Sequence, residues 1–252
     1  MESWSAIGEY NRFLLNHPQL YSKAQVVPDL LVVLEDPVTR GEISPFLDVL
    51  TRQNLQFDVS VLSRLSQEIV RSYWAVALVG LEHLSLNQVA LLDSYRRSGG
   101  KIYSVGQMAG DEAPADIRSN AHTLATLETS EQSKAEVINN LSQLIKNRTI
   151  RLENSGQVLA VVTKIRNAER AVVHFVNHDE QPRAQLRITL DLAFLSFRPE
   201  EELVRAYSPD AACDQITELK VNDKEISFTI PKLDTYFSRF SRQFEAKECS
   251  SG

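Results

Sequence analysis

The stretch Trp74–Gly106, WAVALVGLEHLSLNQVALLDSYRRSGGKIYSVG, decides the fold. It opens on an apolar run of strand length, Trp74–Val79, and closes on another, Lys101–Val105. Between them, Leu86–Ser98 has the apolar spacing of a helix. Ser85 stands three residues before Gln88, so the two can form a capping box, with Leu84 and Val89 at the staple positions beside it. Gly99 supplies the left-handed residue that ends a helix without a Cβ penalty. Two uninterrupted apolar strands joined through a helix predict a parallel pair with a right-handed crossover. Open α/β sheets bind ligands at the carboxyl ends of such strands, which places an expected site in the loops Gly80–Leu84 and Gly106–Gly110.

Upstream, Asp29–Glu35 (DLLVVLE) reads as a buried strand broken by Asp36-Pro37. A helix is expected near Ile43–Gln53, with Phe46, Leu47 and Leu50 inward, and Phe57–Leu62 alternates as a strand does. This second crossover brings the sheet to about four parallel strands, a small doubly wound architecture. Ser5–Asn16 carries Ile7, Tyr10, Phe13 and Leu14 at helical spacing, is stopped by His17-Pro18, and is assigned to the same domain. Past Gly106 the chain is loop-like, with Leu124–Leu127 as a last short strand and Glu131–Asn147 as a helix. The apolar stripe of that helix is Val137, Ile138, Leu141, Leu144 and Ile145.

From Thr149 the period changes to two. Strands are expected at Val158–Ile165, Ala171–Asn177, Leu186–Leu195, Leu203–Tyr207, Ile216–Val221, Ile226–Ile230 and Tyr236–Phe240, with a tight turn at Asn222-Asp223. The predicted class is therefore α/β plus all-β. A parallel sheet with flanking helices over residues 1–147 is followed by a C-terminal antiparallel β-sandwich over 148–244 and a disordered tail over 245–252.

A chain of 252 residues can bury two such cores. The formal net charge of −6, with no basic run longer than Arg96-Arg97, gives no footprint for nucleic acid. No stretch approaches the ~20 apolar residues that span a bilayer. The opening MESWSAIGEYN lacks a signal-peptide pattern, so a complete chain is expected in the cytoplasm, while a fragment of an exported protein would leave its location open. Cys213 and Cys249 have no CxxC partner and read as free thiols rather than a disulfide.

Four segments carry a family likeness: YNRFLLNHPQLY (10–21), LSLNQVALLDSYRRSGGKIYSVG (84–106), VVHFVNHDEQP (172–182) and ISFTIPKLDTY (226–236). Together they resemble the C-terminal region of glycoside-hydrolase-like proteins in which a (β/α)8 barrel precedes two accessory domains. The first accessory domain is similar to the β-galactosidase trimerisation domain, a flavodoxin-like fold related to class I glutamine amidotransferases. The second is a small β-sandwich. The resemblance implies an accessory role, carries over no catalytic residue, and implies as partner a barrel domain or a further copy of the chain.

The residues agree with a chain that lacks its own chemistry. Glycoside hydrolysis needs two carboxyl groups about 5–9.5 Å apart, which the resembling enzymes draw from a barrel of ~250 residues, and that barrel has no room here. The acidic clusters Glu35-Asp36, Asp111-Glu112 and Glu200–Glu202 read as solvated loops. An active amidotransferase-like fold places a cysteine on the turn after the central strand, where this chain has Gly80-Leu81-Glu82-His83. No GxSxG elbow, Walker loop or GxGxxG occurs, and Gly99, Gly100, Gly106 and Gly110 are spaced as turn punctuation. His174 and His178 lie ~13 Å apart along a strand, too far for one zinc ion unless the chain folds back at Asn177. A turn in which Asn177 and Asp179 make local hydrogen bonds accounts for Asn-His-Asp better. Phe194, Phe197, Tyr207, Tyr236, Phe237 and Phe240 could stack on sugar rings, although alternation buries about half of them. No catalytic residue, cofactor or metal is therefore expected. The reading is a non-catalytic accessory region serving packing or oligomerisation. The alternative is a stand-alone carbohydrate- or small-molecule-binding module whose crevice is lined by Gly80, Glu82, His83, Gly106 and Gln107.

Overall fold

A computed structural model describes residues 10–35, 40–81, 83–105, 127, 130–145, 148–166, 168–195, 197, 199–201, 204–208, 216–234 and 236–241. Two units emerge, one from Pro28–Arg148 and the other from Met1–Val27 together with Thr149–Gly252. The described residues begin with a helical segment, 10–16, and a three-residue strand, β1 (Ala24–Val26), before the parallel unit.

That unit runs β2 (Leu30–Leu34), α1 (Arg40–Arg52), β3 (Phe57–Val61), α2 (Gln67–Val70), β4 (Ala75–Val79), α3 (Leu86–Arg97), β5 (Lys101–Val105) and α4 (Glu131–Leu144). The sheet order is β3-β2-β4-β5, and every neighbouring pair is parallel. The central strands β2 and β4 are buried at all five positions, which is why their sequences are continuous apolar runs. Leu30, Val32, Ala75, Ala77 and Tyr103 meet Phe46 and Leu50 of α1 and Val137 and Leu141 of α4. The alternate residues Leu31, Val33, Val76 and Leu78 meet Val70 of α2 and Leu92 and Tyr95 of α3.

Both ends of α3 form as its sequence predicts. The Ser85 N–H donates to Gln88 Oε1 at 2.8 Å, and the Gln88 N–H donates to Ser85 Oγ at 3.4 Å. At the far end, the Gly99 N–H donates to the Arg96 carbonyl (2.9 Å) and the Gly100 N–H to the Tyr95 carbonyl (3.0 Å), with Gly99 at φ +95°. These two bonds make a Schellman terminus. Gly100 is needed for a different reason: a Cβ there would overlap the Tyr95 ring. The ring is pinned, because its hydroxyl donates to the Tyr73 carbonyl at 2.9 Å.

Three expectations change in this unit. Trp74 precedes the strand and is 58 % exposed, because the sheet register starts at Ala75. The short helix α2 was not anticipated; Ser66 caps it by accepting from the Ile69 N–H at 3.3 Å. Leu127, read as the end of a strand, is helical and buried, and residues 124–126 lie outside the described residues.

The second unit adds β6 (Ile150–Glu153), β7 (Val158–Ile165), β8 (Ala171–Asn177), β9 (Arg183–Asp191), β10 (Val204–Tyr207), β11 (Thr217–Val221), β12 (Glu225–Leu233) and β13 (Tyr236–Ser241). They form a five-stranded sheet, β1-β7-β8-β13-β10, and a four-stranded sheet, β11-β12-β9-β6, antiparallel throughout. Val158, Ala160, Val162, Val173 and Phe175 from the first share one core with Leu186, Ile188, Leu190, Ile226, Phe228 and Ile230 from the second. Phe175 and Phe228 meet edge to face across it, with ring centroids 6.3 Å apart. At the expected turn, Asn222 Oδ1 accepts from the Lys224 and Glu225 N–H groups at 2.8 and 2.9 Å, closing the β11–β12 hairpin.

The N-terminal segment, expected in the α/β domain, belongs to this second unit. β1 pairs with β7, Ala24 opposite Ile165 and Val26 opposite Thr163. Phe13 and Leu20 bury themselves against Ile165 and Val172. Helical spacing shows that Phe13 needs an apolar partner without saying which one, so chain proximity to β2 was a poor guide. Among the described residues, no helix is long and apolar enough to cross a membrane.

Candidate functional site

At the carboxyl edge of the parallel sheet, Gly80 follows β4 with φ +62°, a backbone state that favours glycine. Its N–H donates to the Val105 carbonyl at 2.8 Å, tying the ends of β4 and β5 together. The next residue, Leu81, is 1 % exposed and packs with the α3 core, and this anchors the loop from below. His83 is exposed just before the Ser85 cap. Of the five residues expected to line the crevice, the structure thus places Gly80 and His83 at one strand end. Glu82, Gly106 and Gln107 lie outside the described residues, as do Cys213, Cys249, Asp36, Asp111, Glu112 and Glu202. Among the described residues, no group of three or more His, Cys, Asp or Glu side chains is placed to hold a metal.

A second feature, not anticipated from the sequence, distinguishes the two outer faces of the antiparallel unit. On the four-stranded sheet, the outward residues are polar, and several of them are paired. Arg151 lies 3.1 Å from Glu225, Arg187 lies 4.0 Å from Glu153, and the Thr229 hydroxyl donates to Glu218 at 2.8 Å. Alternation puts Leu159, Val161, Thr163 and Ile165 of β7 on the outer face of the five-stranded sheet, beside Val176, His174 and Val172 of β8. None of these seven outward residues carries a fixed charge.

Residues 10–26 cover part of this apolar face. Besides Phe13 and Leu20, the Tyr21 ring stacks on His174 with centroids 5.1 Å apart. The His17 ring is held between Phe13 (4.7 Å) and Tyr207 (4.9 Å). Burial pushes the His174 imidazole down to about 4, because charging it would cost hydration that the apolar face does not replace. The cover is partial: Val161 and Val26 each remain 41 % exposed, and Leu14 and Leu15 on the helical segment are 43 % and 79 % exposed. Every exposed large hydrophobic of this unit among the described residues lies on this side.

His174 and His178 are not brought together. His174 faces Tyr21 in mid-strand, whereas His178 is exposed after the strand ends. The Asn-His-Asp turn is a hydrogen-bonded hub. Asn177 Nδ2 donates to the carbonyls of Gln181 (2.9 Å), Asp234 (2.9 Å) and Leu233 (3.4 Å), and Asn177 Oδ1 accepts from the Asp179 N–H at 3.0 Å. Asp179 in turn takes hydrogen bonds from the Arg183 guanidinium and the Gln157 N–H, which hold its carboxyl below the usual range. Of the aromatics considered for sugar stacking, Phe194 packs against the central core and Tyr207 against the N-terminal segment. The exposed aromatic in the described residues is Trp74, in the other unit. The side chains of Tyr236, Phe237 and Phe240 lie outside the description. Glu200 is exposed, and the exposed Glu201 accepts from the Val221 N–H at 3.2 Å.

No protein-family model matches the chain, and no curated protein matches it in sequence. Among solved structures it is similar to the α-L-fucosidase isoenzyme 2 from Paenibacillus thiaminolyticus, with a TM-score of 0.69 at 11 % identity, covering 92 % of this chain and 51 % of that one. It is also similar to a β-galactosidase from Bacillus circulans sp. alkalophilus, with a TM-score of 0.52 at 9 % identity, covering 92 % of this chain and 44 % of that one. The chain therefore spans about half the length of the structures it matches.

Proposed function

We propose that this chain is a non-catalytic accessory region of a glycoside-hydrolase-like protein, serving domain packing or oligomerisation beside a (β/α)8-barrel catalytic body. The observation that carries this reading is one of proportion. Nearly all of the chain, 92 %, aligns with the fucosidase, yet it accounts for only 51 % of that protein. Both units take part, which supports treating the parallel unit as a flavodoxin-like domain and the antiparallel unit as a small β-sandwich. The purified chain is expected to release no nitrophenol from 4-nitrophenyl α-L-fucoside or β-D-galactoside. Release that disappears when a residue of this chain is substituted would overturn the proposal.

A second reading follows from the strand-end geometry. Gly80 in its left-handed state and the exposed His83 stand where open α/β sheets place ligands. In that case Glu82, Gly106 and Gln107 complete a crevice for a sugar or another small molecule. Thermal-shift measurements against neutral and acidic monosaccharides test it. A stabilising sugar whose effect is lost in His83→Ala supports the crevice, and a flat response removes it.

A further inference from the structure

We infer that residues 10–22 are an acid-released strap, which closes over β8 at neutral pH and lifts about Lys23 when His174 takes up a proton. Its release uncovers Ile165 and Val172 on the outer face of β7 and β8. The inference is independent of either function proposed above.

The strap is built to come away as a piece. Of residues 10–22, only Phe13 and Leu20 are buried, and they seat on Ile165 and Val172. The backbone hydrogen bonds within it are local. The His17 N–H donates to the Phe13 carbonyl at 3.1 Å, the Leu20 N–H to the His17 carbonyl at 3.0 Å and the Ser22 N–H to the Pro18 carbonyl at 2.9 Å. Pairing with the sheet starts only afterwards, where the Lys23 carbonyl accepts from the Arg166 N–H at 3.1 Å and Ala24 lies opposite Ile165. Lys23 itself stands at φ +58°, a left-handed state that a residue with a Cβ holds only under constraint. The joint between strap and strand is therefore strained, and lifting relieves it.

The sensor lies under the strap. Tyr21 stacks on His174 with ring centroids 5.1 Å apart and planes 24° from parallel. Burial there holds the imidazole down to about 4, so the proton is refused while the strap is closed. The positions facing His174 are Tyr21 on the strap, Val161 on β7 and Ser238 on β13, with Tyr207 of β10 one strand further. Tyr207 also meets the strap's His17 ring at 4.9 Å. The charged residues on these elements nearest that face are Arg12 and Lys23 of the segment, Lys164 of β7 and Arg205 of β10, and none of them is acidic. A ring that titrates near 4 beneath the strap, and near 6.5 once hydrated, shifts the opening equilibrium about twentyfold between pH 7 and pH 5.

The test is amide exchange of the full chain at pH 7 and pH 5, corrected for intrinsic rates, with and without urea below the unfolding range. So short a helical piece does not persist off the sheet, and lifting therefore opens the His17, Leu20 and Ser22 amides to exchange. Their opening is expected to rise about twentyfold from pH 7 to pH 5. It should be nearly independent of urea, as a local opening is, and run about tenfold or more ahead of β8 and β9. In His174→Phe, which keeps a ring against Tyr21, the rise should be less than about twofold. In Tyr21→Ala, which removes the stack, opening should start faster at pH 7 and rise less in acid. Protection of β9 and β12 at pH 7 shows that each variant folds. Strap amides that follow β8 and β9 in rate and in urea dependence would show the unit opening as a whole and overturn the inference. So would a strap level from pH 7 to pH 5, or an acid rise that persists in His174→Phe.

Discussion

Lowering the pH from 7 to 5 will loosen the antiparallel unit through His174. In the folded chain this imidazole is held down to about 4 by burial, against 6.5 for an ordinary histidine. Between those values the unfolded chain binds a proton that the folded chain refuses, so stability rises with pH across the window. It is fully present above about 6.5 and lost as the pH falls to about 4. The full difference corresponds to roughly 3 kcal/mol, of which about 2 kcal/mol falls between pH 7 and pH 5. Asp179 does not confuse this window, because its carboxyl is held below the ordinary range and its contribution is lost only at lower pH. The assay is hydrogen exchange of β7 and β8 peptides, corrected for intrinsic rates, which reads this unit separately from the parallel one. His174→Phe keeps a ring against Tyr21 but cannot titrate, and its protection should be nearly level over the same range. If the unmodified chain loses no more protection than His174→Phe between pH 7 and pH 5, the burial argument is wrong.

Two further predictions concern stability. Asn177→Ala strands three carbonyls and the Asp179 N–H at a site 5 % exposed, and should destabilise by about 3 kcal/mol in urea unfolding. Asn177→Asp, which turns an acceptor toward those carbonyls, should be at least as harmful, and a mild effect there would show that the hub is dispensable. Gly100→Ala drives a methyl into the pinned Tyr95 ring and should destabilise the parallel unit by about 1–3 kcal/mol. Gly99→Ala meets nothing within 4 Å, so only its positive φ is penalised, at about 1 kcal/mol. Tyr95→Leu removes the ring, so Gly100→Ala should lower the melting temperature less in that background than in the unmodified chain. Equal shifts in the two backgrounds would refute the packing account of Gly100.

The parts of the fold legible in the sequence were those set by local signals. The α3 helix was readable because its cap, stripe and terminator agree, and all three appear as hydrogen bonds or packing in the structure. β7 and β8 were readable to the residue because turn residues bound them on both sides. The placement of the N-terminal segment was not legible. β1 is three residues long, too short for any period, and its partner Ile165 lies more than a hundred positions away. Trp74 misled for the opposite reason: an aromatic next to AVALV extends the apolar run, but the register with β2 begins one residue later. For the crevice, sequence could place Gly80 and His83 at a strand end because strand ends are local. It could not say whether anything converges on them, because that depends on loops with no period of their own.

The outer face of the five-stranded sheet shows where a signal was present in the sequence and went unused. A strand with one wet face alternates, and β9 does so, its buried Leu186, Ile188 and Leu190 separated by Arg187 and Thr189. β7 opens Val158-Leu159-Ala160-Val161-Val162, and β8 carries Ala171-Val172-Val173 before His174. Such runs belong to strands that are covered on both sides. In β8 the cover is visible, because Phe13, Leu20 and Tyr21 reach Val172 and His174. At Val161 of β7 the same pattern continues, yet the valine stays 41 % exposed. The sequence of β7 is therefore that of a strand buried on two faces, while the described residues supply cover for only part of the second.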